Sequence, residues 1–179
     1  MALKLFRRAA NDRVVEALHD AVVAGARRPA LFSALGAPDT PFGRIEAVML
    51  HAFLVARRLR ALPAPAPDLA QDLVDRMFVD FERALRQIGI GDLSVPKKMK
   101  ALAGDWLGRI DVYAGPLDSG DDAALAAALA RNVLSRDGEP EAAIPLTRQV
   151  RACEARLAAT DWDALQRGAI DWPEIEEAV

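Results

Sequence analysis

Apolar residues recur at helical spacing in every long segment of this chain. Val14, Leu18 and Val22 fall on one side of a first helix, which Asn11 or Asp12 is expected to cap and which ends near Gly25 and Pro29. Thr40 followed by Pro41 is a second start signal, because proline at the first helical position lacks an N–H that would be unpaired anyway. From there Ile45, Val48, Ala52, Val55, Leu59 and Leu62 follow at alternating spacings of three and four. Met49, Leu50, Phe53 and Leu54 are apolar as well, so this helix is wet only near its ends and is expected to be central and buried.

The stretch Leu62-Pro-Ala-Pro-Ala-Pro67 interrupts the pattern. Each proline pushes its predecessor towards extended geometry, which predicts a short stiff connector. The next helix has Asp68 in its first turn, carries Val74, Phe78, Phe81, Leu85 and Ile88, and closes at Gly89, where a left-handed residue ends a helix. Ser94 opens another, with Met99, Leu102, Trp106, Ile110 and Tyr113 on one stripe and a break at Gly115-Pro116. Ser119–Arg136 reads as an alanine-rich helix, with Asp121 and Asp122 at its start and Arg131 and Arg136 near its end, as the helix dipole favours. Glu141–Thr160 carries Leu146, Val150, Cys153 and Leu157, and Trp162, Leu165, Trp172 and Ile175 lie in short pieces broken by Gly168 and Pro173. No period-two alternation occurs. The pattern predicts an all-α, single-domain bundle of six to seven helices around the Ile45–Leu62 helix.

Composition narrows the class. About one residue in five is alanine, and 52% of the 179 residues are hydrophobic, which is too apolar for a disordered chain. A single cysteine, Cys153, excludes a disulfide scaffold and a cysteine-based zinc cluster, and reads as a small buried apolar side chain. The longest apolar run, Ala47 to Ala56 around His51, is about half of what a membrane span needs. The basic start lacks a signal-peptide apolar stretch, so the expectation is a soluble, cytoplasmic protein. Leu3, Leu5 and Phe6 beside Lys4, Arg7 and Arg8 allow either an ordinary terminus or contact with an anionic membrane surface.

Charge is uneven along the chain. Residues 1–60 carry a balance of +5, residues 61–110 are neutral, and residues 111–179 carry −8. This predicts a basic and an acidic face unless the two ends neutralise each other in the fold. Lys97, Lys98 and Lys100 fall in or beside a first helical turn, where the dipole is already positive. They are either exposed lysines tolerated under salt screening or a corner that binds an anion or acidic partner. Arg57, Arg58 and Arg60 lie near a helix C-terminus, where the dipole favours them.

No catalytic constellation emerges. Glu16 and His19 have the spacing of a di-iron half-site, but the second copy is missing, and His19 is expected to be a plain surface residue. His51 is expected to be a hydrogen-bonded histidine of the core. There is no phosphate loop and no dinucleotide fingerprint, and no cofactor, metal or enzymatic activity is expected.

Two stretches resemble the ubiquinol–cytochrome c chaperone family, the assembly factors of the respiratory bc1 complex in mitochondria and α-proteobacteria. The first is Pro29-Ala-Leu-Phe-Ser-Ala-Leu-Gly-Ala-Pro-Asp39-Thr40-Pro-Phe-Gly43-Arg44, continuing into Met49-Leu-His51 and Arg57-Arg58-Leu59. The second is Leu85-Arg86-Gln-Ile-Gly89-Ile-Gly-Asp92-Leu-Ser-Val-Pro-Lys97-Lys98-Met99-Lys100, followed by Gly108-Arg109 and Tyr113. The similarity runs from about residue 10 to 130, and residues 137–179 form an acidic helical extension. Where the family carries an aromatic after the first Gly-Arg, this chain has Ile45.

The resemblance implies a non-enzymatic chaperone that binds newly made cytochrome b, with a second assembly subunit and the ribosomal exit tunnel as further partners in mitochondria. It implies structural roles for Asp39, Thr40, Gly43, His51, Gly89, Asp92 and Gly108. Arg44, Arg109, Tyr113 and the three lysines are the candidate partner face. Internal pairs Arg44–Asp39 and Arg109–Asp105 are the competing readings for the arginines. An alternative function is RNA or ribosome binding through Lys97–Lys100. The negative net charge and scarce aromatics argue against it, and no DNA partner is expected.

Overall fold

A computed structural model describes residues 2–176, with side chains from residue 11 onward; the side chains from Leu3 to Arg8, candidates for membrane contact, lie outside the described set. The described chain holds α1 (Ala2–Ala26), α2 (Pro29–Ser33), α3 (Pro41–Arg60), α4 (Ala66–Gln87), α5 (Val95–Ser119), α6 (Asp122–Asn132), a 3-10 turn (Pro140–Ala143), α7 (Ile144–Ala159) and α8 (Trp162–Gln166). Six of these helices are long, two have five residues, and there is no strand among the described residues. The all-α class follows from the sequence pattern.

Helix α3 is the hub. It packs against α1, α4 and α7, and every residue from Met49 to Ala56 is buried. One core joins Leu18 and Val22 of α1 to Leu73 and Leu85 of α4, Trp106 and Tyr113 of α5, Leu129 of α6, Leu146 of α7 and Leu165 of α8. Thr40 caps α3 as its spacing predicts, accepting a hydrogen bond from the Gly43 N–H at 3.0 Å. Gly89 closes α4 with φ +88°, so its left-handed role holds too.

Several boundaries differ from the expected ones. Helix α1 begins at Ala2, so neither Asn11 nor Asp12 caps it; the alanines and arginines before them are good helix formers and nothing stops the turn. Helix α4 starts at Ala66 with Pro67 in its first turn, which shortens the stiff connector to Leu62–Pro65, and its C-cap Ile88 is 43% exposed, off the core stripe. Helix α5 does not break at Gly115-Pro116 but runs on to Ser119 and closes at Gly120, φ +75°. Two carbonyls of that last turn, of Pro116 and Leu117, accept from the Arg151 guanidinium at 2.9 Å, which ties the end of α5 to α7. Helix α6 accordingly begins later than expected, capped by Asp121, whose carboxylate accepts from the Ala124 N–H.

After α8 the chain runs back without helix across α1 and α7. Trp172 donates its indole N–H to the Ala21 carbonyl at 2.9 Å and meets the His51 ring edge-on, with ring centres 4.9 Å apart. The Pro173 carbonyl accepts from Arg28 and from Gln149. No helix among the described residues is long and apolar enough to cross a membrane.

Candidate functional site

Helices α1, α3 and α4 leave an open groove of about 400 Å³ between them. Its wall is apolar, formed by Val23 from α1, Ile45 and Val48 from α3, and Met77, Phe81 and Ile88 from α4. The α2–α3 junction builds one rim. Gly43 is needed there, because a Cβ at this position would overlap the Pro38 carbonyl oxygen. That close approach folds the junction back so that Asp39, Thr40 and Pro41 border the groove. Arg44 pairs with Asp39 at 2.6 Å and lies 5.3 Å over the Phe32 ring, half-exposed on the same rim beside Arg27. The internal pair named for Arg44 therefore forms, while its outer surface stays open.

The opposite end of the groove holds a residue the spacing misjudged. His19 is 5% exposed rather than a surface residue, with Nε2 3.1 Å from an Asp80 carboxylate oxygen. Asp80 also binds Arg76 at 2.6 Å and Arg83 at 2.8 Å, and Arg76 reaches across to Glu16 at 2.9 Å. Burial, and then the nearby Arg76 charge, hold the His19 pKa below its ordinary value, while the hydrogen bond from Arg76 lowers that of Glu16. Ligand atoms of Glu16, His19 and Asp20 lie within 4.8 Å of one another. Arg76 already occupies Glu16, and its positive charge works against a metal cation at that spot.

The remaining candidates separate into inner and outer groups. His51 is a core histidine as expected: Nδ1 is 2.8 Å from the Ala47 carbonyl, and burial pushes its pKa down to about 4, so the ring is neutral and Nδ1 donates. Arg109 holds Glu46 of α3 through two bonds of 2.6 and 3.1 Å and also reaches Asp105 at 3.3 Å. It is a tie between helices, with only 15% of its side chain exposed. Tyr113 is not at the surface either; it is 1% exposed with its ring edge-on to Phe53, which keeps its hydroxyl from reaching a partner in this arrangement. Gly108 lies on an exposed stretch of α5 with nothing near a would-be Cβ, so packing does not demand glycine there. Asp92 is exposed and pairs with Arg86 at 3.3 Å.

Lys97, Lys98 and Lys100 are all exposed, and α5 has no acidic residue in its first turn and no side-chain cap from Ser94. Lys98 extends over the Phe42 ring at 5.6 Å. The basic and acidic thirds do neutralise each other in part, because Arg57 bridges to Asp118 at 2.6 Å and to Glu154 at 3.1 Å.

The groove itself was not foreseen from the sequence. The available signal was that Val48 and Ile88 extend apolar stripes to the edge of what the core can cover, both being only partly buried or exposed in the fold.

Comparison with known proteins adds an independent line. The sequence model for the ubiquinol-cytochrome C chaperone family matches residues 33–172. The crystal structure of the Cbp3 homolog from Brucella abortus is similar over 98% of both chains, with 38% sequence identity and a TM-score of 0.84. No curated protein sequence matches.

Proposed function

The chain belongs to the ubiquinol–cytochrome c chaperone family, and on that premise we propose that it is a non-enzymatic assembly chaperone that holds newly made cytochrome b during biogenesis of the bc1 complex. One observation carries the reading. The groove between α1, α3 and α4 is bordered by both family-like stretches, with Asp39, Thr40 and Arg44 from the first and Ile88 from the second. An open apolar trough with a polar rim suits a segment of an unassembled protein, which needs apolar cover and weak, reversible contacts.

In this reading Arg44 is the outward polar contact of the groove, and Arg109 and Tyr113 act from within by fixing α5 against α3. Lys97, Lys98 and Lys100 stand outside the groove and are available to an acidic or anionic surface. Residues 137–179 belong to the same functional unit as the rest, and the protein works at the cytoplasmic face of the membrane.

The test is capture in the native host. A tagged chain, crosslinked briefly, is expected to retain cytochrome b, and Ala84→Arg, which fills the groove from α4, is expected to lose it while keeping its helical circular dichroism and melting temperature. Absence of cytochrome b from the wild-type capture overturns the client assignment. Equal capture by folded Ala84→Arg moves the binding face elsewhere. Ribosomal proteins in the wild-type capture would extend the contact to the exit tunnel, the role that the exposed lysines alone favour.

A further inference from the structure

The corner between α4 and α5 carries an arrangement that reaches beyond the client groove, with which it shares only Ile88. Leu93 stands at the tip of the loop after Gly89 and is 99% exposed, and Phe42 and Ile88 are 44% and 43% exposed. Immediately beyond, Lys97, Lys98 and Lys100 project from the first turns of α5. Among the described ion pairs none involves these lysines, and three such cations within four positions make the corner locally basic. The one acid in the loop, Asp92, is taken by Arg86. The Lys98 contact with Phe42 ties the lysines to the apolar residues as one surface. A fully bare leucine beside three unpaired lysines is costly to keep in water without a use, since both apolar exposure and cations at a helix N-terminus are unfavourable.

We propose that the α4–α5 corner is a docking surface for an anionic lipid bilayer, with Leu93 entering the boundary between headgroups and acyl chains and Lys97, Lys98 and Lys100 over the lipid phosphates. Charge complementarity selects the partner, and the shape of the patch selects its class. A single leucine at a loop tip needs no matching pocket in lipid, whereas a protein partner would have to supply one. Single-stranded RNA would be served by stacking aromatics, and the one aromatic here, Phe42, already lies under Lys98. The proposal extends the assembly-chaperone reading, because Ile88 belongs both to this corner and to the groove wall, so docking brings the groove's edge to the membrane. The vesicle test itself needs no client.

The experiment is co-sedimentation of the purified full chain with vesicles of phosphatidylcholine alone, or with about one third phosphatidylglycerol. Binding is expected only to the anionic vesicles and is expected to weaken with salt. The combined variant Lys97→Gln, Lys98→Gln, Lys100→Gln should bind about a hundredfold more weakly, and Leu93→Asn about tenfold. All four side chains are exposed, so both variants should stay folded and melt at or slightly above the wild-type temperature, the triple lysine change relieving the positive end of α5. Equal binding to both vesicle types, wild-type binding by either folded variant, or tighter binding of oligouridine than of anionic vesicles overturns the proposal. Cytochrome b capture in detergent by the vesicle-blind variants would leave the chaperone reading intact. Normal vesicle binding without capture would remove that reading and leave the docking surface.

Discussion

His51 shows how burial sets the chemistry of a single side chain. The ring is fully enclosed by α3, Gly25 of α1 and Trp172, and its pKa falls from 6.5 to about 4. The unfolded chain therefore takes up a proton near pH 6.5 that the folded chain refuses, so His51 favours the fold fully above pH 6.5 and progressively less towards pH 4. Chemical denaturation should show about 2 kcal/mol of stability lost to this residue between pH 7.5 and pH 5. His51→Leu should lose correspondingly less over the same range; an unchanged slope would assign the pH dependence elsewhere, with His19, shifted the same way, as the first suspect. Glycine positions divide just as sharply. Gly43→Ala should destabilise by about 2 kcal/mol or more through its clash with Pro38, while Gly108→Ala should stabilise by about 0.5–1 kcal/mol by removing a flexible residue from an exposed helix interior. Thermal melts of the two variants side by side check both signs.

Between elements, the tie from Arg109 to Glu46 joins α5 to the hub helix. Burial raises the Glu46 pKa, and the hydrogen bond and charge of the Arg109 guanidinium oppose that shift without cancelling it. Arg109→Ala should cost about 3 kcal/mol by stranding that carboxylate, and the double change Arg109→Leu with Glu46→Leu should recover most of the loss. Urea unfolding of the single and double variants measures the difference. This pair also shows where sequence reading stopped. Spacing identified the local partner Asp105, because i, i+4 geometry is fixed within a helix, but Glu46 lies 63 positions away and becomes a neighbour only through packing. The same division runs through the helices. Caps at Thr40 and Gly89 and the buried middle of α3 were legible because local chemistry decides them. The passage of α5 through Pro116 was not, because the Arg151 guanidinium that grips the carbonyls of Pro116 and Leu117 beside it arrives from another helix. The groove was hidden for a similar reason: its wall is assembled from three helices, none of which announces it alone.

Across the whole molecule, the charge imbalance of the sequence resolves into a mixture of internal pairs and a small remainder. Arg57 against Asp118 and Glu154 joins the basic start to the acidic end, while Arg156 against Asp171 is a pair within the acidic end itself. Among the described ion pairs none involves Lys97, Lys98 or Lys100, and none involves the exposed Arg13, Arg60 or Arg148. The leftover basic groups are thus spread over the surface, and the lysines are three of them within four positions. The long-range closure comes from Trp172, which is anchored on α1 and set edge-on against His51 of α3. Trp172→Ala should lower stability by about 2 kcal/mol, through lost packing and an indole hydrogen bond. Near-ultraviolet circular dichroism should change with it, whereas a variant at the exposed Leu107 should leave both unaltered.

That closure also has a consequence in time. Trp172 meets a carbonyl 151 positions earlier in the chain, and a ribosome delivers the two ends of that contact in strict order. Until Trp172 has been made, the seam around Gly25 and His51 lacks its cover, and a copy terminated before that residue would keep the seam uncovered. Such a copy presents what proteases recognise, so the architecture itself distinguishes finished molecules from unfinished ones before any of them is put to use.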